Sequence, residues 1–264
     1  MRLGEAGGHL CLLFASKHMI YGAPCYEIGQ EYFYPLNYDG DGLNACDFAF
    51  DNEESMSLYI TNEQKFTLLV GESRMLKAEG YPTSANIAIN ESLVAFYSTY
   101  PTSEADNNFM TRWAMYANTP LDSEVKKQLY PALYSQLEGK TYPEAANILL
   151  DFVQSAFVYE YDDKVWGGDR VFFATETLHY PYADCEDRSI LFARLVRDLV
   201  GLDVVLIYYP GHLATAVGFT QEVNGDYLTY RNKKYTVCDP TYIGAPVGRT
   251  MPGMNNQQAQ VIVL

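Results

Sequence analysis

Cys185 lies in the run Tyr182-Ala183-Asp184-Cys185-Glu186-Asp187-Arg188-Ser189. The pattern predicts that this run opens a helix with Asp184 as N-cap, which puts the thiol on the first turn. Unpaired backbone N–H groups and the positive end of the helix dipole favour a thiolate there, the nucleophilic form of cysteine. Asp184, Glu186 and Asp187 act the other way by repelling negative charge, so a cationic partner is needed. His212, 27 positions on, follows Pro210-Gly211 at the start of a predicted strand, and an imidazole within reach of the sulfur can take its proton. Asp239, a further 27 on, falls near the end of a strand that can neighbour the His212 strand. A carboxylate there would fix the imidazole tautomer and stabilise its charge.

Other readings compete for these residues. A single helix cysteine and an isolated strand histidine are common as inert structural residues. Cys185, His212 and Cys238 have types that suit zinc. However, Cys238 and Asp239 are adjacent on a predicted strand and should face opposite sides, so only one can point at His212. A second constellation, Asn37-Tyr38-Asp39-Gly40-Asp41-Gly42, matches the first half of a calcium loop, but Phe48 stands where the bidentate glutamate belongs. A solvated acidic turn accounts for it better.

The elements that must carry the three residues are legible in outline. Thr141 and Glu144 have capping-box spacing, and Ala146, Leu149, Leu150, Val153 and Phe157 recur on one helical face. A helix is also expected over residues 121 to 137, interrupted at Pro131, and another from Asp184 to Val200, stopped by Gly201. A turn-rich linker spans Tyr161 to Arg170. Strands are expected at 204–209, 212–219, 227–230 and 235–239. In the first half, strands are expected at 10–14, 32–36, 57–61, 66–70, 86–90 and 93–97. One echo links the halves. Gly8-His9-Leu10 and Asn37 parallel Gly211-His212-Leu213 and Asp239, with separations from histidine of 28 and 27 positions. Either the amino terminus is a degenerate copy of the later strands, its helical half missing, or two hairpin regions coincide.

The block Asp184-Cys185-Glu186-Asp187-Arg188-Ser189, the start Tyr209-Pro210-Gly211-His212 and the end Val237-Cys238-Asp239-Pro240-Thr241-Tyr242 resemble the three signature blocks of the transglutaminase-like superfamily of papain-like folds. The resemblance covers about residues 140 to 250. It implies Cys185 as nucleophile, His212 as base and Asp239 as orienting acid. The family includes cross-linking enzymes, bacterial proteases and amidases, and inactive members. Papain-like enzymes carry a glutamine oxyanion donor six positions before the cysteine, where this chain has His179. Tyr180, Tyr182 and Trp166 are the other candidates beside the Cys185 backbone N–H.

Composition bounds the rest. A formal charge of −15, from 18 Lys plus Arg against 33 Asp plus Glu, has the wrong sign for a phosphate backbone or an anionic lipid surface. No apolar run approaches the roughly 20 residues of a membrane span. No export signal is visible in this sequence, and a longer, exported precursor is compatible with it. Five cysteines without close spacing argue against a disulfide scaffold or a CxxC site.

The expectation is therefore an α+β protein. Residues 1–120 would form a β-rich region and 121–264 a transglutaminase-like domain with its cysteine helix packed on an antiparallel sheet. The chemistry expected is thiol-dependent cleavage of a peptide or related amide, with protein cross-linking or a silent binding module as alternatives. Its partner would be a peptide or protein substrate, with neither metal nor organic cofactor required by the reaction. Compartment and oligomeric state stay open.

Overall fold

The structure is a computed structural model that describes residues 1–29, 31–38, 40, 42–46, 51–105 and 108–264. In chain order its elements begin with strands β1 (Arg2–Ala6), β2 (His9–Ser16), β3 (His18–Ile20), β4 (Tyr26–Ile28), β5 (Glu31–Pro35), β6 (Asn44–Ala45), β7 (Arg74–Lys77) and β8 (Ser84–Ile87). Next come α1 (Glu91–Ser98), β9 (Ser103–Ala105), α2 (Thr111–Asn118), α3 (Ser123–Leu137), α4 (Tyr142–Ser155), α5 (Asp162–Val165), α6 (Ala174–His179) and α7 (Cys185–Leu199). Strands β10 (Asp203–Tyr209), β11 (His212–Gly218), β12 (Tyr227–Tyr230), β13 (Lys233–Cys238) and β14 (Gln260–Val263) finish the chain. This is a mixed α and β protein whose strand ladders are antiparallel.

The chain forms two compact units: residues 1–59 with 101–112, and residues 60–100 with 113–264. Residues 60–100, grouped with the β-rich half by composition, thus pack with the helices and the later sheet.

In the second unit the strand order is β12-β13-β11-β10-β14. Strands β10 and β11 meet through Pro210-Gly211, with Tyr209 opposite His212. Gly211 has φ +78°, a conformation that a β-carbon disfavours, so the sequence can turn sharply here. All seven residues of β11 are buried. On one face Val205, Ile207, Ala214, Ala216 and Val237 form a core cluster with Tyr209 and Tyr235. Helix α7 packs across β10 and β11, with α4 and α6 against α7. Helix α4 begins at the expected capping box, Glu144 accepting from the Thr141 backbone N–H at 2.8 Å. Gly201, at φ +72°, lets its N–H return to the Val196 carbonyl and end α7.

The first unit holds a sheet of order β4-β5-β2-β1-β6. Matched strand for strand, this is the order of the second sheet. Gly7-Gly8 places Ala6 opposite His9, as Pro210-Gly211 places Tyr209 opposite His212.

Several expected strands of the first half are different in the structure. Residues 93–97 are the middle of α1, not a strand. The Asn90 side chain caps that helix by accepting from the Ser92 N–H at 3.1 Å, and this local start outweighs the β preference of Val94, Phe96 and Tyr97. Residues 57–61 and 66–70 are irregular, with an isolated bridge at Val70 to Asn90. Leu68, Leu69 and Val70 are exposed, so apolar alternation there had no core to face. The expected strand at 86–90 is shifted to Ser84–Ile87. The acidic turn candidate includes Asp39, Asp41 and Phe48, which lie outside the described residues.

Candidate active site

Each residue of the Asp184–Ser189 block has a separate task. Asp184 is the N-cap of α7, and Asp187 reaches back to it, Oδ2 accepting from the Asp184 N–H at 3.4 Å. The other Asp187 oxygen accepts from the Phe172 N–H at 2.8 Å, which ties the segment before α6 to the start of α7. Arg188 is fully buried. Its guanidinium donates to the Ala183 carbonyl at 3.2 Å and to the Gln154 and Phe157 carbonyls at 2.9 Å, clasping the residue before the cap to the end of α4. Ser189 donates to the Leu213 carbonyl at 3.0 Å and so fastens α7 to β11 one residue past His212. Between these fastenings stands Cys185, the first residue of α7, with the Leu213 N–H directed at its sulfur.

His212 Nε2 lies 2.8 Å from Asp239 Oδ2, with both residues buried. A carboxylate can only accept, so Nε2 donates, and Nδ1 is left as the basic nitrogen. Asp239 is held from behind. Its Oδ1 accepts from the Thr241 N–H at 2.9 Å, the Thr241 hydroxyl at 2.7 Å and the Tyr242 N–H at 3.3 Å. Gln154, reaching from α4, secures the loop that follows. It donates to the Asp239, Tyr242 and Ala245 carbonyls at 3.0, 2.9 and 3.0 Å and accepts from the Gly244 N–H at 3.0 Å. Tyr209 stacks beside the imidazole, ring centroids 6.1 Å apart.

The thiol rests in its protonated form. Burial pushes the Cys185 pKa well up, and the charges of Glu186 and Asp184 push it further, against a smaller pull from the Leu213 N–H. The sulfur donates to Glu186 Oε2 at 3.0 Å. The acidic residues therefore oppose thiolate formation, as expected from the sequence, and any nucleophilic step here needs His212 to take the proton during attack. Tyr159 stands near the same sulfur, and burial first, then the charge of Cys185, raise its hydroxyl pKa above the ordinary value.

The candidate oxyanion donor His179 ends α6, half-buried, its ring edge-on to Tyr180 at 4.7 Å. Tyr180 belongs to a cluster with Trp166, Phe172 and the Arg170 guanidinium, which lies 4.5 Å from the Trp166 ring. Tyr182 is exposed. The zinc alternative does not assemble: Asp239, not Cys238, meets His212, and the Cys238 thiol is directed to the Thr236 carbonyl at 3.6 Å. In the first unit, His9 is exposed and Asn37 binds backbone, accepting from the Leu12 N–H at 2.8 Å and donating to the Leu10 carbonyl at 3.2 Å. That histidine and amide do not form a pair like His212 and Asp239.

Sequence reasoning did not find Gln154, Arg188 and Thr241 as supports of the site. Gln154 and Arg188 were visible only as polar residues on helices whose apolar faces set the reading. Thr241, two after Asp239, has the spacing of an Asx turn and could have been found.

No family model and no curated protein matches the chain. Among solved structures, one titled "Crystal structure of a TGase" is similar to it, at 15% identity and a TM-score of 0.31. The match covers 69% of this chain and 47% of that one, so the chain spans about half the length of that structure.

Proposed function

We propose that this protein is a thiol acyltransferase acting at an amide bond, with hydrolysis as the net reaction. The observation that carries the reading is the buried His212–Asp239 pair, set where β11 is fastened through Ser189 to the helix that begins with Cys185. In the proposed reaction Cys185 Sγ attacks the carbonyl carbon as Nδ1 of His212 accepts the thiol proton. The tetrahedral intermediate collapses, the C–N bond breaks and the amine leaves with the proton from His212, giving a thioester. Water, deprotonated by His212, then releases the acid and restores the thiol. The Cys185 backbone N–H is one oxyanion donor, and His179 is the side-chain candidate for a second. Cross-linking would follow if an amine reached the thioester before water.

A second reading has its own support. The bond from the Cys185 thiol to Glu186 is what a silent binding module that keeps the fold without turnover would show. One experiment separates the two: incubation of the full chain with p-nitrophenyl acetate, with release of nitrophenolate followed and the acylated residue located by mass spectrometry. An acetyl group on Cys185, lost in the His212→Ala variant, is expected. Absence of acylation of Cys185 in the wild-type chain, or equal acylation in the variant, would favour the module.

A further inference from the structure

The ends of α3 and α7 share an open cavity of about 410 Å³, lined by Pro131, Tyr134, Ser135, Leu137, Glu138 and Leu199. That volume suits a small organic molecule. Leu199 closes α7 at the end opposite Cys185, about 20 Å along the helix axis, so the cavity is separate from the candidate active site.

The polar part of the lining is negative. Leu137 and Leu199 are the last residues of their helices, so α3 and α7 both bring their partially negative C-terminal ends here. The last turn of α3 holds no basic residue, and Arg197, the one in α7, is engaged by the Asn118 side chain at 2.8 Å. Glu138 adds a full negative charge at the C-cap of α3, where an anion opposes the helix dipole. Its carboxylate is exposed, and among the described residues no lysine, arginine or histidine pairs with it. Ser135 already donates its hydroxyl proton to the Ala132 carbonyl at 2.8 Å, which leaves that oxygen to accept. Pro131 has no N–H for the Lys127 carbonyl one turn back, a further acceptor without its helical donor.

The apolar part is fixed in place. Tyr134 meets the Tyr130 ring edge-on at 6.4 Å, and the Tyr130 hydroxyl donates to Asp198 of α7 at 2.6 Å, which ties this aromatic wall to both helices. An aromatic ring beside a carboxylate and two helix C-termini is a combination that attracts a cation. We propose that the cavity binds a small primary amine in its protonated form. The ammonium would lie at Glu138 and the helix ends, with an aryl or alkyl body against Tyr134, Leu137 and Leu199. Three N–H donors match a lining of acceptors, whereas a carboxylic acid of the same shape would meet only negative charge.

The test is an NMR titration of the isotope-labelled full chain with phenethylamine hydrochloride, which needs no turnover and so stands apart from the acyl-transfer reading. Saturable binding of one amine per chain is expected, with a Kd below about 5 mM and amide shifts at the ends of α3 and α7. The neutral isostere 2-phenylethanol should bind at least about 10-fold more weakly. Affinity should fall about 5-fold or more in Glu138→Gln and in Tyr134→Ala, both exposed positions where folding is not at stake. It should stay within about twofold of wild type in Asp163→Asn, an exposed acid outside the cavity. The proposal is overturned by no saturable shift up to about 20 mM amine, by equal binding of the alcohol, or by undiminished affinity in either cavity variant.

Discussion

Replacing Gln154 with Met tests whether the loop behind Asp239 is held in place by hydrogen bonds or by packing. Methionine keeps the length and nearly the volume of the side chain, so the apolar fit of α4 is retained. What is lost is four bonds: donation to the carbonyls of Asp239, Tyr242 and Ala245 and acceptance from the Gly244 N–H. The Asp239 and Ala245 carbonyls are buried, whereas the Tyr242 and Gly244 groups are near enough to the surface for water to replace the glutamine. At roughly 1–2 kcal/mol for each buried acceptor left bare and less for the two wetted groups, the expected cost is about 3 kcal/mol. For a chain of this length, that lowers Tm by roughly 6–12 °C. The assay is a thermal melt followed by far-UV circular dichroism. Because the same loop carries Asp239, nitrophenyl ester acylation measured well below the variant's Tm should also slow, by about 10-fold. A Tm within about 2 °C of wild type would mean that other contacts hold the loop and that the glutamine does not.

Asp239→Asn should leave the fold intact, because Asn Oδ1 can still accept from Thr241 and Tyr242. Its amide would, however, face Nε2 as a donor and force the proton onto Nδ1, so Cys185 acylation should slow by about 100-fold or more in a stopped-flow ester assay. Glu176 is held up to about 7, from an ordinary 4.5, chiefly by burial against the opposing pull of the Phe173 N–H and Arg170. The folded state thus binds this proton more tightly than the unfolded chain. The stability it contributes is complete below about pH 4.5 and is lost as pH rises through about 7, a swing of about 3 kcal/mol. Denaturant melts across that range should show a decline that Glu176→Gln removes. Asn90→Ala removes the cap of α1 and should cost about 1 kcal/mol, seen as a Tm lowered by roughly 2–4 °C.

The second unit was readable because its signals are local and agree with one another. The Thr141 capping box, the apolar face of α4, the Asp184 cap and the Pro210-Gly211 turn each mark a boundary that the fold uses. The echo between His9 and His212 was likewise visible as spacing, and the two sheets share a strand order. Where local and long-range terms conflict, the sequence misled. The β-prone residues 93–97 became a helix because Asn90 caps it, and the apolar run 66–70 stayed irregular and exposed. The supports of the site were hidden for another reason. Gln154 and Arg188 act on carbonyls of residues far along the chain, 85 positions in the bond from Gln154 to Asp239, and no periodicity records such a partner. Helix α6 was missed because all but its last residue are buried, which leaves it no polar face to set a period.

On the proposed mechanism Cys185, His212 and Asp239 work as one unit. A double-mutant cycle on the rate of Cys185 acylation by nitrophenyl acetate, using His212→Ala, Asp239→Ala and the pair together, tests it most directly. If Asp239 acts only through the imidazole, the double variant will be no slower than His212→Ala alone. Losses that multiply, or a His212→Ala variant that acylates as fast as the wild-type chain, would show that the three residues do not act as one unit.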